Sequence, residues 1–207
     1  MITVAANATR QELLKLKGRL KMAKRGHKLL KDKRDSLMKE FMILIKRDKE
    51  LRERVENGLH AAYRSFLVAR AMLSEAVLEE SFMAPTRKVS VETGSRSIMS
   101  VPVPEFDVSS EGELLSYGLA NTSQDLDDAV GSYSEMVPVM VELAGVERAV
   151  ELLSDEIEKT RRRVNALEYV LIPELEQAVK GIAMRLSEIE RSNASRLMKI
   201  KDIVRAH

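Results

Sequence analysis

The stretch from Leu13 to Leu37, LLKLKGRLKMAKRGHKLLKDKRDSL, decides the fold because its apolar residues recur at alternating steps of three and four. The same steps continue to residue 76, and 14 of the 19 positions that they select are apolar. A heptad pattern sustained this far predicts a long coiled-coil helix over residues 1–82. Its named seam positions are Leu13, Leu20, Leu30, Leu37, Phe41, Leu44 and Leu51.

A second heptad pattern follows Ala144-Gly145 and predicts a C-terminal coiled-coil helix over residues 144–207. Between Leu167 and Val179, three consecutive steps of four replace the alternation, which shifts the heptad phase. Pro173 lies inside this shift, and a kink is expected there because proline lacks an N–H and its ring clashes with the preceding turn. The named seam positions of this helix are Val164, Leu167, Leu171, Ile182 and Ile189.

Residues 83–143 interrupt the helical pattern, because prolines at 85, 102 and 104 bar a regular helix. Two short β-prone runs, at 88–91 and 98–101, predict a β-hairpin over about residues 87–102 with a five-residue loop. Short helices are expected after the hairpin. One lies around residues 113–119, and another starts at the capping signature Thr122-Ser123-Gln124-Asp125 and ends near Leu143.

A single heptad helix cannot bury its seam, so each long helix needs a partner. Two helices of similar length in one chain most simply fold back on each other. The predicted fold class is therefore all-α, a long antiparallel two-helix coiled coil of N- and C-terminal helices with a short β-hairpin and short helices between them, forming one structural unit. A parallel homodimer through the first helix is the alternative.

Charge is distributed unevenly, although the net charge is only +2. Residues 10–34 hold 11 basic and two acidic side chains, whereas residues 105–158 hold 14 acidic side chains and one arginine. Such asymmetry concerns partners rather than fold. The basic stretch indicates a positive helix surface inside an oppositely charged protein collar; a solvated helix face and a nucleic-acid contact are the alternatives. No nucleic acid is expected as a partner, because the stretch lacks stacking aromatic residues.

No residues point to catalysis, a cofactor or a metal. The three histidines, His27, His60 and His207, are isolated, and no glycine-rich phosphate loop occurs. The absence of cysteine excludes disulfide and thiolate chemistry. No apolar run approaches the roughly 20 residues that span a bilayer, and residues 1–8 lack a signal-peptide pattern. A non-catalytic, soluble cytoplasmic protein without cofactor or metal is expected.

Two stretches carry a resemblance to a known family. Residues 10–37, with RGHKLLKDKRDSL at their centre, resemble the first helix of the D subunit of V-type and archaeal-type rotary ATPases. RRVNALEYVLIP (residues 162–173), followed by IERSNASRLMKIK, is similar to the second helix of the same family. The order and spacing of these stretches, with a hairpin region between them, match over essentially the whole chain.

The resemblance implies a central rotor stalk that couples ATP synthesis or hydrolysis to ion transport. It implies partners in the catalytic A and B subunits, in the small F subunit and in the C subunit (called d in V-type complexes), with membrane association only through the complex. The hairpin and the helix around residues 62–78 are the candidate face for the F subunit. The residues expected to contact the A/B ring are Arg10, Lys17, Lys21, Lys24, Arg25, Lys28, Lys31, Arg191, Arg196 and Lys199.

Two questions stay open on the residues alone. One is whether the chain is instead a coiled-coil scaffold or tether without a motor. The other is whether the parent complex mainly makes or consumes ATP, and with protons or sodium ions.

Overall fold

The structure, a computed structural model, describes residues 9–118 and 120–206, so the expectations for residues 1–8 and His207 lie outside the described residues. The elements are α1 (Arg10–Met72), α2 (Glu75–Phe82), β1 (Lys88–Ile98), β2 (Val101–Glu111), α3 (Gln124–Ala166), a π-helical segment (Leu167–Leu171) and α4 (Ile172–Ala206). The chain divides into two compact units. We name them for their place in the sequence: the terminal unit, Met1–Asp35 with Glu158–His207, and the middle unit, Ser36–Ile157.

Helix α1 begins at a side-chain cap. The hydroxyl oxygen of Thr9 accepts a hydrogen bond from the backbone N–H of Glu12 at 3.2 Å, which satisfies one of the free donors of the first turn. From Leu13 to Ala69, every position of the predicted seam is buried or half-buried. The heptad pattern therefore identified the buried face of this helix.

In the terminal unit, α1 packs antiparallel against α3 and α4. Arg10 pairs with Glu190 at 2.7 Å, and Lys24 pairs with Glu176 at 2.6 Å. Residue numbers therefore increase along α1 while they decrease along α4, which is the antiparallel arrangement. In the middle unit, α1 pairs antiparallel with α3, since Leu37 packs with Leu153 whereas Gly58 lies next to Met136. The predicted fold class, antiparallel long helices with a hairpin in the connecting region, is confirmed.

The middle unit contains three buried clusters. In the first, Val101 and Val103 of β2 cover Leu37 of α1 together with Ala149 and Leu153 of α3. In the second, α1 and α3 pack on each other through residues such as Leu51, Val55 and Val139. In the third, α2 adds Leu78 to Ala69 and Leu126. The hairpin and α2 thus form a further layer over the helix pair.

The hairpin is longer than expected and turns elsewhere. Eleven residue pairs join β1 and β2, from Lys88 with Glu111 to Ile98 with Val101. The turn is Met99-Ser100, both with positive φ (51° and 70°), as a tight two-residue hairpin turn requires. The expected five-residue loop around Gly94 is wrong, since Gly94 lies inside β1, where a Cβ would be 3.6 Å from the backbone oxygen of Glu105.

Three expectations about helices are also wrong. The first long helix ends at Met72 rather than near residue 82, and Ser74 in an extended conformation separates α2 from it. Residues 113–118 form no helix. Helix α3 does not stop at Leu143. It runs through the exposed Pro138 and through Gly145, whose lack of a side chain makes room for Phe106; a Cβ at this position would be 3.1 Å from the Phe106 ring.

Directly before Pro173, where a kink is expected, the helix contains the π-helical segment, and the kink itself stays a prediction. The N–H of Ile172 donates to the carbonyl of Leu167, a bond over five residues instead of four. A π-helical turn accommodates one extra residue, and three steps of four contain one residue more than the alternation 4-3-4. The segment therefore absorbs the surplus residue that shifts the heptad phase. It also precedes the proline, whose missing N–H and ring oppose a regular α-helix.

Two of the twelve named seam residues are exposed. Leu171 lies in the π-helical segment and is 39% exposed, and Ile189 near the end of the helix pair is 48% exposed. The expectation that they are buried is wrong, for two reasons. The widened turn displaces Leu171. Ile189 lies opposite the first turn of α1, which begins at Arg10 across from Glu190, so only the end of α1 is available to cover it.

Candidate partner-binding surface

The two units carry opposite charge. The terminal unit contains 22 basic and 10 acidic residues, a formal charge of +12, whereas the middle unit contains 12 basic and 22 acidic residues, a formal charge of −10. Fields of this size steer oppositely charged partners to the surface and repel like-charged ones. The terminal unit is therefore the candidate site for an acidic partner surface.

Helix α1 presents its lysines in a stripe. Lys17, Lys21, Lys24, Lys28 and Lys31 follow one another at steps of four and three, and all are exposed. Arg10 lies seven residues before Lys17 and continues the stripe, which spans roughly 30 Å at 1.5 Å per residue. Side chains at this spacing share one helix face. We call these six residues the basic stripe.

Sequence reasoning named these residues without using their spacing, although the spacing is visible in the sequence. The other four predicted contacts, Arg25 on α1 and Arg191, Arg196 and Lys199 on α4, are exposed as well. None of these four falls in the 4-3 steps of the basic stripe. The structure thus brings six of the ten predicted residues onto one face of α1 and leaves the others outside that face.

Within the stripe, only two side chains have an ion-pair partner among the described residues. They are Arg10, which pairs with Glu190, and Lys24, which pairs with Glu176. Both pairs are solvent-exposed, and such pairs contribute little to stability. In the described part of the chain, no carboxylate lies within ion-pair distance of Lys17, Lys21, Lys28 or Lys31, so their charges are available to another protein.

An apolar groove of about 800 Å³ lies between α1 and the segment from Leu167 to Arg185, within the terminal unit. Leu16, Met22 and Ile182 line it, and Arg19 and Arg185 supply charge. Its walls also contain small residues, Ala23, Gly26, Ala178 and Gly181. No heavy atom lies within 4 Å of where a Cβ of Gly26 would stand, so the space is open. Sequence reasoning missed this groove; the facing small residues are its only signal.

His27 is half-buried, and its Nε2 lies 3.2 Å from a carboxylate oxygen of Glu168. In residues 9–118 and 120–206, no three His, Cys, Asp or Glu residues are arranged to hold a metal ion. Over the same residues, no helix has the length and apolar character needed to cross a bilayer.

Paired antiparallel helices with a heptad seam define the class of coiled-coil proteins. Comparison with known proteins agrees. The sequence model of the family described as the D subunit of ATP synthase matches residues 12–202. The chain belongs to this family.

The curated relatives make the assignment more specific. A protein from Thermoanaerobacter sp. (strain X514) is 52% identical over 206 residues, which cover 99% of both chains. One from Acetivibrio thermocellus is 50% identical, covering 99% of this chain and 94% of its own length. One from Clostridioides difficile is 48% identical, covering 99% and 93%. Each is named as the D subunit of a V-type ATP synthase, so the resemblance seen in the sequence is confirmed.

Proposed function

We propose that the chain is the central rotor-stalk subunit of its V-type complex. It transmits torque between a catalytic hexamer of A and B subunits and a rotor ring in the membrane, and so couples ATP synthesis or hydrolysis to ion transport. The F and C (or d) subunits are its further partners. Catalysis resides in the A and B subunits, and the chain is cytoplasmic and peripheral to the membrane as part of the complex.

One observation carries the proposal: the basic stripe, in which four lysines have no ion-pair partner among the described residues, lies on one face of α1, so the faces of the helix pair are not equivalent. A stalk whose faces differ in charge offers a different surface to each of three surrounding catalytic interfaces. Each orientation then favours a different conformation at each interface, because a binding partner shifts an equilibrium only by its differential affinity for the two states. A uniformly charged stalk would favour none.

The apolar groove supports the same proposal. It adjoins the stripe's helix, and its small residues leave room for side chains of a surrounding subunit. Charged residues give specificity and speed of association, whereas a desolvated apolar centre gives most of the binding energy. A stripe with a neighbouring groove supplies both components.

The test reverses three charges that have no ion-pair partner in the described structure: Lys17→Glu, Lys21→Glu and Lys28→Glu together. The matched control is Lys46→Glu, Lys49→Glu and Arg54→Glu, which changes the charge equally at exposed positions of the same helix in the middle unit. Both variants are assembled into the complete complex. ATP hydrolysis and ATP-driven ion transport are measured together, and the circular dichroism of each isolated variant checks folding.

We expect the stripe variant to lose about tenfold in ions transported per ATP hydrolysed, because unfavourable like-charge contacts cost several kcal/mol across an interface. The control variant should stay within about twofold of the wild type. Unchanged coupling in the stripe variant, or an equal loss in the control, contradicts the assignment of the stripe to torque-bearing contacts.

A further inference from the structure

The two edges of the β-hairpin differ. In β1, the first ten residues are exposed and only Ile98 is half-buried, whereas in β2 Val101 and Val103 are buried. No further strand pairs with either one, since the described residues form a sheet of two strands. Each strand therefore has one edge that pairs with its neighbour and one outer edge.

The register determines which backbone groups face outward. In an antiparallel pair, hydrogen-bonded and non-hydrogen-bonded residue pairs alternate. The tight turn makes Ile98 with Val101 the first hydrogen-bonded pair, so the next pair, Ser97 with Pro102, is not hydrogen-bonded. Continuing along β1, the outward N–H and C=O groups belong to Val89, Val91, Thr93, Ser95 and Ser97. Among the described residues, none of these N–H groups finds an acceptor beyond the hairpin.

Proline blocks one outer edge and leaves the other open. Pro102 and Pro104 both occupy outward positions of β2, so two of the five N–H groups on that edge are missing. Proline in a sheet is confined to such positions and prevents pairing with another strand. β1 contains no proline. The hairpin is thus closed to strand addition along β2 and open to it along β1.

An apolar surface adjoins the open edge. Val89 and Val91, whose N–H groups face outward, expose 47% and 46% of their surface. A groove of about 300 Å³ lies between Val91 and Phe106 on the hairpin and Val137 and Val141 on α3. A strand added beside β1 would place alternate side chains next to Val89 and Val91. Apolar side chains at those positions would extend this surface.

We infer that the outer edge of β1 binds an extended segment of a partner subunit by strand addition. Backbone hydrogen bonds to residues 89, 91, 93, 95 and 97 provide the affinity, and pockets for alternate side chains provide the specificity. The segment carries apolar residues at alternate positions and a net positive charge, since the middle unit that receives it has a formal charge of −10. The inference rests on the proposed function, because the partner is a subunit of the same complex.

Hydrogen exchange tests the inference on the isolated chain and on the complete complex purified through this chain. In the isolated chain, the amides of Ser90, Glu92, Gly94 and Arg96 should exchange slowly, and the five outward amides should exchange fast. In the complex, the outward amides should slow by at least about tenfold, because each then donates a hydrogen bond. Exchange is read at single-residue resolution by electron-transfer fragmentation.

A pair of variants separates backbone pairing from side-chain contact. Ser95→Pro removes one outward N–H and leaves the β1–β2 ladder intact, as Pro102 and Pro104 do on β2. Ser95→Ala removes the same hydroxyl and keeps the N–H. We expect Ser95→Pro to weaken retention of the partner subunit by about tenfold, since an unmade buried hydrogen bond costs on the order of 1–3 kcal/mol, and Ser95→Ala to leave it unchanged. Thermal unfolding checks that both variants fold.

The outcomes are distinguishable. If no ATPase subunits purify with the chain, the proposed function fails. If they do, but the outward amides exchange as fast as in the isolated chain, strand addition alone is overturned. A dimer of the isolated chain that Ser95→Pro abolishes would assign the edge to a second copy and also overturn the inference.

Discussion

The terminal and middle units both bury heptad-seam positions, but the middle unit buries more of them completely. In the middle unit, Leu37, Leu51 and Leu153 are at most 1% exposed. In the terminal unit, Val164 is likewise 1% exposed, but Leu13, Leu20 and Leu30 are only half-buried. Part of the difference follows from the additional layer, since β2 covers Leu37 and Leu153, whereas Leu51 is buried between α1 and α3 alone. Depth of burial thus depends partly on elements that lie outside the heptad pattern.

The two units also differ in whether their apolar residues are packed inside the chain or left open on its surface. The middle unit contains the three apolar clusters and an acidic surface, and the terminal unit contains an open groove and the basic stripe. Protein–protein interfaces need apolar area and charge that the isolated chain leaves exposed. The more thinly covered unit is therefore the better surface for partners.

The largest expected effect is in the core of the middle unit. Leu153→Ala removes a fully buried side chain and should lower the free energy of unfolding by about 2–5 kcal/mol. Leu20→Ala, at a half-buried seam position of the terminal unit, should cost about 1 kcal/mol because less area is lost from the interior. Urea denaturation followed by circular dichroism measures both. Ile200→Ala, at a position 56% exposed, is the control and should stay within about 0.5 kcal/mol. Equal losses at Leu153 and Leu20 would remove the distinction between the units.

A smaller effect is expected at Tyr117, whose hydroxyl donates to a carboxylate oxygen of Asp127 at 2.7 Å. Burial and this hydrogen bond raise the pKa of Tyr117 well above its usual value. Because the folded-state pKa is raised, the stabilisation is complete below about pH 10, where an unfolded tyrosine ionises, and is lost as pH rises further. Tyr117→Phe should cost about 1 kcal/mol at pH 8.

The pH profile tests this assignment. The difference in unfolding free energy between wild type and Tyr117→Phe should shrink steadily above pH 10. Tyr169→Phe is the matched control, since Tyr169 is 71% exposed in the terminal unit and should show no such difference. A gap between wild type and Tyr117→Phe that stays constant to pH 12 would show that ionisation of Tyr117 is not linked to folding.

The smallest expected effect is a difference in the sign of the stability change when two helical glycines are each replaced by alanine. Gly18 in the terminal unit has no heavy atom within 4 Å of a Cβ position, so Gly18→Ala should stabilise α1 by about 1 kcal/mol. A Cβ on Gly58 in the middle unit would overlap the Met136 side chain, with Cγ at 2.9 Å. Gly58→Ala should therefore lose this gain or destabilise the protein. Adding Met136→Ala should lessen the steric conflict, and thermal unfolding of the three variants measures the outcome. Equal stabilisation at both glycines would show that packing around Gly58 is no tighter.

Periodicity predicted the long helices because the seam repeats through the sequence itself. The same reasoning could have found the basic stripe, whose lysines follow 4-3 steps. The hairpin turn was missed because its positive φ angles fall on Met99 and Ser100, which are not residues typical of such turns. Gly94 gave a misleading turn signal.

Glycine and proline also misled the placement of helix ends. Gly145 reads as a helix end in sequence, but it is helical and makes room for the Phe106 ring. Pro138 is exposed inside α3, and the helix continues through it. At Gly145 a contact distant in sequence outweighs local preference, as tertiary packing often does. The groove likewise depends on the pairing of two helices and could not be read from either one.

The π-helical segment affects how this chain can change in length. Deleting one residue elsewhere along α3 or α4 would rotate every later seam side chain by about 100° away from α1, since an α-helix turns once in 3.6 residues. Deleting one residue between Glu168 and Leu171 would instead restore the 4-3-4 alternation and keep Leu175, Val179 and Ile182 facing inward. Loss of a single amino acid is thus structurally neutral for the later seam at one short site, which makes this turn the natural place for length variation among related chains.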